Sequence, residues 1–531
     1  MTTHDVLNQV PPLVDYDLAA ADPLLLPLLE AEAAWAVKDT VRFGREVAST
    51  EGYELGFAAN ENPPRLRTHD QRGHRVDQVE FHPAWHHLLR RAVEAGLHSL
   101  PWEPTAQPGS HLARTALGFL ASQVEAGHFC PISMTYAVVP ALREQPDLAA
   151  AWEPKIVSRV YEPEFAPPPE KEGVLLGLGM TEKQGGSDVR VATTTAQPDG
   201  DGYRVTGHKW FTSAPMNDAF LILAQAPNGL TCFLLPRHVP DGSVNQIRIM
   251  RLKDKLGNRS NASAELEFED AWAERIGEEG RGVATIIEMV NGTRLDCVSG
   301  SAALMRQAVS QAIHHCRHRK AFGSALIDKP AMINVLADLE IETEAAVVLM
   351  ARLAMSFDRA DDPHEQSLRR ILTPIAKFLV TKRCTEVVHE SLECLGGNGF
   401  VEESILPRLL RESPLNAIWE GSGNVIALDV LRAARSHPES VEALRSELAR
   451  GPSSGVREVD RLVAATDGEA RQVTEQLAIH LQAGLLSEFA SDEVATIFIS
   501  TRILDVTGNR LYGTLPYSTA LASIVERAIP A

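Results

Sequence analysis

Ala219-Phe-Leu-Ile-Leu-Ala224 and Leu230-Thr-Cys-Phe-Leu-Leu235 are short apolar runs bounded by Gly, Pro, Asn and Asp. That length and punctuation belong to strands rather than to core helices. They stand in a series with Tyr203-Arg-Val-Thr206, Asn245-Gln-Ile-Arg-Ile249 and Ala264-Glu-Leu-Glu-Phe268, set off by turns such as Pro198-Asp-Gly-Asp-Gly202. From Gly173 to about Ile276 the pattern predicts an antiparallel β domain of roughly a hundred residues.

On both sides the period changes. From Asp22 to about Glu162 apolar residues recur at three- and four-residue spacing, as in Leu24–Val37 and Trp85–Leu97, which predicts helices. The polar stretch Arg65–Asp77 between them is expected as an exposed turn, and Pro163 with Pro167-Pro-Pro169 marks a linker. Beyond Gly282, long periodic runs over Val283–Arg317, Pro330–Phe357 and Leu368–Leu395 suggest a helical bundle. After His437-Pro438 comes a helical extension, interrupted at Gly451-Pro-Ser-Ser-Gly455 and at Thr507-Gly508. The expected fold class is α+β multidomain: a helical domain over 1–170, a β-barrel-like domain over 171–280, a four-helix-bundle domain over 281–436 and the extension over 437–531.

A chain of 531 residues is too long for a single core, and 44% hydrophobic with 23% charged residues is ordinary globular composition. No apolar stretch reaches membrane-spanning length, and the acidic start (Asp5, Asp15, Asp17) is not a secretory signal, so a cytoplasmic protein is expected. Six scattered cysteines without a CxxC pair argue against structural zinc or a disulfide framework and read as small buried hydrophobes. A net charge of −19 points away from nucleic acid as the main partner.

Five motifs carry candidate chemistry. In Gly179-Met-Thr-Glu-Lys-Gln-Gly-Gly-Ser-Asp188, glycines and hydroxyls let a polar ligand approach the backbone, although a Gly-rich turn ahead of a strand reads the same way. Gly207-His-Lys-Trp-Phe-Thr-Ser213 offers an aromatic face and a hydroxyl, suited to a planar heteroaromatic ring or to a plain strand core. Arg319-Lys-Ala-Phe-Gly323 is an anion-binding arginine or a basic helix end. Glu393-Cys-Leu-Gly-Gly-Asn-Gly-Phe400, followed by Glu403, Arg408 and Glu412, leads into Ile418-Trp-Glu-Gly-Ser-Gly-Asn424. The pairs His82/His86 and His314/His318 have metal-like spacing but no third ligand, and no metal is expected.

Together these motifs resemble the acyl-CoA dehydrogenase superfamily. Met180–Asp188, Leu256-Gly-Asn-Arg-Ser-Asn-Ala262, Thr293-Arg-Leu-Asp-Cys297, Trp419–Asn424, Arg72–His86 and the extension beyond Arg435 are similar to its AidB branch. Val191 departs from the first signature, which usually has a small residue there. The resemblance implies FAD, held by Met180, Thr181, Gly186, Ser187, Phe211, Thr212, Ser213, Arg319, Phe322, Gly396, Gly397, Ile418, Trp419, Gly421, Ser422 and Asn424. Phe211 would pack near the isoalloxazine, Ser213 would hydrogen-bond near N5, and Arg319 would reach the FAD of a neighbouring subunit, implying a homodimer or homotetramer. Glu420 matches the catalytic base; the alternative base position of some relatives is Thr293 here, which cannot serve.

The implied reaction is α-proton abstraction from an acyl-CoA with β-hydride transfer to flavin N5, the electrons leaving to an external acceptor such as an electron-transfer protein. The alternative is an AidB-like, DNA-associated flavoprotein of the adaptive response to alkylation, with weak or vestigial dehydrogenase activity. AidB proteins bind DNA through a basic C-terminal region, yet beyond Arg432 this chain has nine arginines, no lysine and thirteen acidic residues. That balance disfavours DNA.

Overall fold

The computed structural model describes residues 3–504, 511–516 and 518–530. The expected break at Thr507-Gly508 lies outside them. The chain forms two compact units, residues 1–50, 108–124 and 297–531 in one, and 51–107 with 125–296 in the other.

The second unit is built on the β domain. Its strands are β1 (Arg65–His69), β2 (Arg75–Glu80), β3 (Leu176–Gly179), β4 (Thr195–Asp199), β5 (Gly202–Ser213), β6 (Ala219–Ala226), β7 (Gly229–Pro236), β8 (Ile247–Leu252) and β9 (Ser263–Ile276). Strands β3 to β9 form one sheet in the order β3-β6-β4-β5-β9-β7, with β8 on β9, and β7 also pairs with β6, so the sheet closes on itself. Pairing is antiparallel except for β3 with β6 and a single step of β4 with β6. The apolar runs that read as strands become β6 and β7, where Ala219–Ala224 and Thr231–Pro236 are buried at every position, so both faces of these strands are covered. The core gathers Val205, Phe220, Ile222, Phe233, Leu235, Ile249, Leu266 and Phe268.

One expectation is corrected. The stretch Arg65–Asp77 is not a turn but most of a hairpin, β1 with β2, and only 70–74 turn. Two of its charges, Arg75 and Asp77, bond each other and the neighbouring β8, while Arg65, Arg67 and Arg72 stay exposed. Arg75 Nε donates to Asp77 at 2.8 Å and its Nη2 to the Ile249 carbonyl at 3.1 Å, while Asp77 accepts the Ile249 N–H at 3.2 Å. Leu66 and Val79 thereby reach the β core.

The first unit is helical. A long helix α1 (Gly282–His318) begins in the second unit and continues into the first, where α2 (Pro330–Asp358) and α3 (Pro363–Cys394) pack together. Helix α4 (Gly423–Ser436) lies on α3, and α5 (Ala470–Phe489), from the extension, contacts α2, α3 and α4. Arg306 of α1 is completely buried and bonds Glu340 through both terminal nitrogens and Asp22 through Nε, a network that ties the N-terminal segment to two helices. Among the described residues, no helix is long and apolar enough to cross a membrane. All six cysteines are buried free thiols, as the sequence suggests.

Candidate active site

In the second unit, β3 runs out at Gly179 and the chain turns through Met180 to Asp188. Backbone and side chains lock this loop to β5: the Trp210 N–H donates to the Thr181 carbonyl at 2.8 Å. Gly186 is required where it stands, because a Cβ there would meet Thr181 Oγ1 at 2.4 Å. The structure thus brings Met180, Thr181 and Gly186 beside Trp210, Phe211 and Thr212. Ser187 is exposed, and Phe211 is 52% exposed.

A residue with no role assigned from the sequence holds this loop. Glu182 is buried and takes the Lys209 ammonium at 2.7 Å, the Thr193 N–H at 2.7 Å and the Thr194 N–H at 3.3 Å. Burial opposes its charge, but the Lys209 bond and the Thr193 N–H prevail and hold the carboxyl at about 2. Both residues were visible inside quoted motifs; nothing in spacing alone shows that they pair. Glu125, also unassigned, accepts from the Gly127 and His128 N–H groups at 2.9 Å and from Ser260 at 2.7 Å, fastening the 256–262 loop.

At the end of β5, Ser213 Oγ lies 3.3 Å from Ser263 Oγ, which accepts from the Lys255 ammonium at 3.0 Å. Lys253 places its ammonium 3.3 Å from the Trp210 ring centroid, a cation–π contact. Thr212 is fully buried and its hydroxyl has no hydrogen-bond partner among the described residues. An orphaned hydroxyl in the core is costly unless a ligand satisfies it.

In the first unit, α3 ends at Cys394. Gly396 follows at φ +59, and a Cβ on Gly396 or Gly397 would meet nothing within 4 Å, so backbone is open there. Gly399 is different: a Cβ would strike the Leu392 carbonyl at 2.2 Å. Arg408 is buried and donates to the Val124 carbonyl at 2.6 Å.

The chain then reaches Glu420, half-buried at φ +56, with Gly421 at φ +106. Left-handed backbone costs a residue with a Cβ about 1–2 kcal/mol, so its surroundings must impose it. They do so through side-chain bonds. Lys377 of α3 donates to the carbonyls of Trp419 and Gly421 at 2.9 and 2.7 Å. The Trp419 indole donates to Asn416, whose amide donates to Ser301 at 3.1 Å. Ser422 is the N-cap of α4 yet makes no capping bond and is exposed. Asn424 accepts from Arg471 of α5 at 3.0 Å, so the extension touches this loop. Ile418 is 63% exposed.

Arg319 and Phe322 lie apart from the Glu420 loop in sequence and build a tight hairpin, Lys320–Ala321 against Ser324–Ala325. Its two-residue turn has positive φ at both Phe322 and Gly323, which suits a type I′ hairpin. Phe322 at the tip is 97% exposed, and Arg319 donates to the Asn8 carbonyl. Thr293 donates to the Val290 carbonyl within α1. His82 is an N-cap accepting the Ala84 N–H, while His86 bonds Tyr161.

These glycine-rich loops and the order of helical, β and helical segments match three family models. They are the adaptive response protein AidB N-terminal domain over residues 8–163, the acyl-CoA dehydrogenase middle domain over 177–271 and the acyl-CoA dehydrogenase C-terminal domain over 280–434. The chain is 45% identical to AidB of Escherichia coli (strain K12), over 90% of this chain and 88% of that protein. It belongs to the AidB branch of the acyl-CoA dehydrogenase superfamily. Acyl-CoA dehydrogenase family member 11 of Caenorhabditis elegans is 35% identical over 77% of this chain and 68% of its own. The solved Caenorhabditis elegans ACDH-11, crystallised with C11-CoA, superposes with TM-score 0.84 at 27% identity, covering 99% of this chain and 93% of that one. The acyl-CoA dehydrogenase fold is therefore the fold of this AidB-branch chain.

Proposed function

We propose that the chain is an FAD-dependent acyl-CoA dehydrogenase in which Glu420 removes the α-proton of the acyl group. The Glu420 turn carries this reading: an acidic side chain held at a strained backbone position by a buried lysine and a Trp-Asn-Ser chain. Strain of this kind persists only where surroundings over-determine it and is concentrated at reactive positions. α-Proton removal from a thioester needs a carboxylate held in one geometry against the substrate. The related worm structure with C11-CoA supports an acyl-CoA as substrate.

The residues present fit FAD. The orphaned Thr212 hydroxyl and the exposed Phe211 ring offer a hydrogen-bond donor and a stacking face, with Met180, Thr181, Gly186, Ser187 and Ser213 around them. Within the first unit, the open backbone at Gly396 and Gly397 and the uncommitted Ser422 cap, with Ile418, Trp419, Gly421 and Asn424, have the same character: exposed backbone and polar groups able to take a cofactor's polar atoms. Bound FAD supplies the hydride acceptor, and the protein supplies binding, alignment and the base. The bare Phe322 tip beside Arg319 favours a homo-oligomer in which this hairpin reaches a neighbouring subunit.

A DNA-binding role finds less support. In the extension, Arg435, Arg445, Arg450, Arg461 and Arg502 each pair with a carboxylate of this chain. Arginines already neutralised release few counterions on meeting phosphate.

The test is an anaerobic titration of the FAD-loaded protein with acyl-CoAs of different chain length, beside Glu420→Gln. Flavin bleaching slowed about 100-fold or more in the variant is expected, about 100-fold being the lower end of what a general base contributes. Absence of bleaching by every thioester would defeat the dehydrogenase reading.

A further inference from the structure

Lys377 lies in the middle of α3, 1% exposed, between Ala376 and Phe378 in a stretch from Ile371 to Val380 that is apolar but for Thr373 and this lysine. Burying an ammonium is costly, and a methionine would fill similar space without that cost. What the ammonium does is specific: it donates to the carbonyl before Glu420 and to the carbonyl after it. Two consecutive residues at positive φ, Glu420 and Gly421, bring those carbonyls round to one donor. The Trp419 indole and Asn416 act on the approaching side of the turn. Lys377 bonds both sides.

We propose that Lys377 is a positioning residue for the Glu420 base, clamping the two flanking peptides so that the carboxylate is aimed rather than free to swing. The inference rests on the reading of Glu420 as the base. It goes further by assigning the turn's geometry to one side chain 43 positions earlier, on a different element. Charge-assisted bonds to two carbonyls suit an ammonium, which has three donors and no acceptor. Misplacing a catalytic group by about 1 Å costs on the order of 100-fold in rate, so the clamp's loss is measurable without loss of fold.

The experiment compares FAD-loaded wild type with Lys377→Met, which fills the space and removes the donor, and Lys377→Gln, which keeps a donor without charge. Three readouts are taken: acyl-CoA affinity from flavin spectral perturbation, the bleaching rate constant at saturating acyl-CoA, and amide hydrogen exchange of peptide 418–423. The expected result for Lys377→Met is unchanged FAD content, affinity within about 3-fold, bleaching slowed on the order of 100-fold and faster exchange confined to 418–423. Lys377→Gln falls between. Wild-type bleaching rate and exchange in either folded variant overturns the proposal, and so does loss of folding in both, which would make the lysine a core residue only. Should the wild type bleach with no thioester, the dehydrogenase reading fails, while hydrogen exchange still decides the clamp.

Discussion

The loops at 180–194 and 415–424 are both fastened by a buried charge, and the charges are opposite. Glu182 takes N–H groups of Thr193 and Thr194 together with an ammonium, whereas Lys377 gives hydrogen bonds to carbonyls of Trp419 and Gly421. The difference lies in which backbone groups each turn leaves unpaired. A turn that points its N–H groups inward needs an acceptor, and one that points its carbonyls inward needs a donor. The carboxylate also has Lys209 as a counter-charge, so the 180–194 loop is fastened through an ion pair as well as through its N–H groups.

That contrast breaks most visibly at the ion pair. Glu182→Gln or Lys209→Met, each leaving one buried charge without its partner, is expected to destabilise the protein by about 3–5 kcal/mol. The double variant should lose much less, and chemical denaturation of all four proteins as a double-mutant cycle measures the coupling.

A smaller effect separates the units by pH. The Glu182 carboxyl sits at about 2 against an ordinary 4.5, so its contribution is present above pH 4.5 and lost as pH falls toward 2. Glu344, in α2, goes the other way: burial first, then the Glu340 charge, lifts it to about 8 despite Arg527 and Arg306. It binds a proton in the native state that the unfolded chain releases, so stability declines as pH rises from 4.5 toward 8. Thermal unfolding against pH should show Glu182→Gln flattening the acid limb and Glu344→Gln flattening the neutral one. The reverse assignment would refute it.

Least costly is Ser422→Ala. Because Ser422 makes no capping bond in α4, the change should stay within about 0.5 kcal/mol in stability, unlike ordinary N-cap losses. FAD retention on a desalting column should nonetheless fall. Unchanged retention would remove Ser422 from the cofactor's contacts.

Much of this was legible in the chain. Strand-length apolar runs announced β6 and β7, and the glycine motifs announced both loops, since a backbone that must open or cross closely needs residues without Cβ. The hairpin at 65–80 was hidden, because Arg75 and Asp77 look solvent-bound until Ile249 is seen to pair with them. Likewise Glu182 and Lys209 stood in plain view within their motifs as two charges without a stated relation.

The order of helical, β and helical regions could be read from the chain because it depends on local periodicity, and the family and the candidate base came from the resemblance of its short motifs. Only the tertiary structure decided what holds the candidate base in place. Lys377 and Glu420 are joined by no periodicity, and their elements become neighbours solely through the packing of α3 against the loop ahead of α4. Buried polar groups select partners by position in space, and position in space is what a linear pattern does not contain.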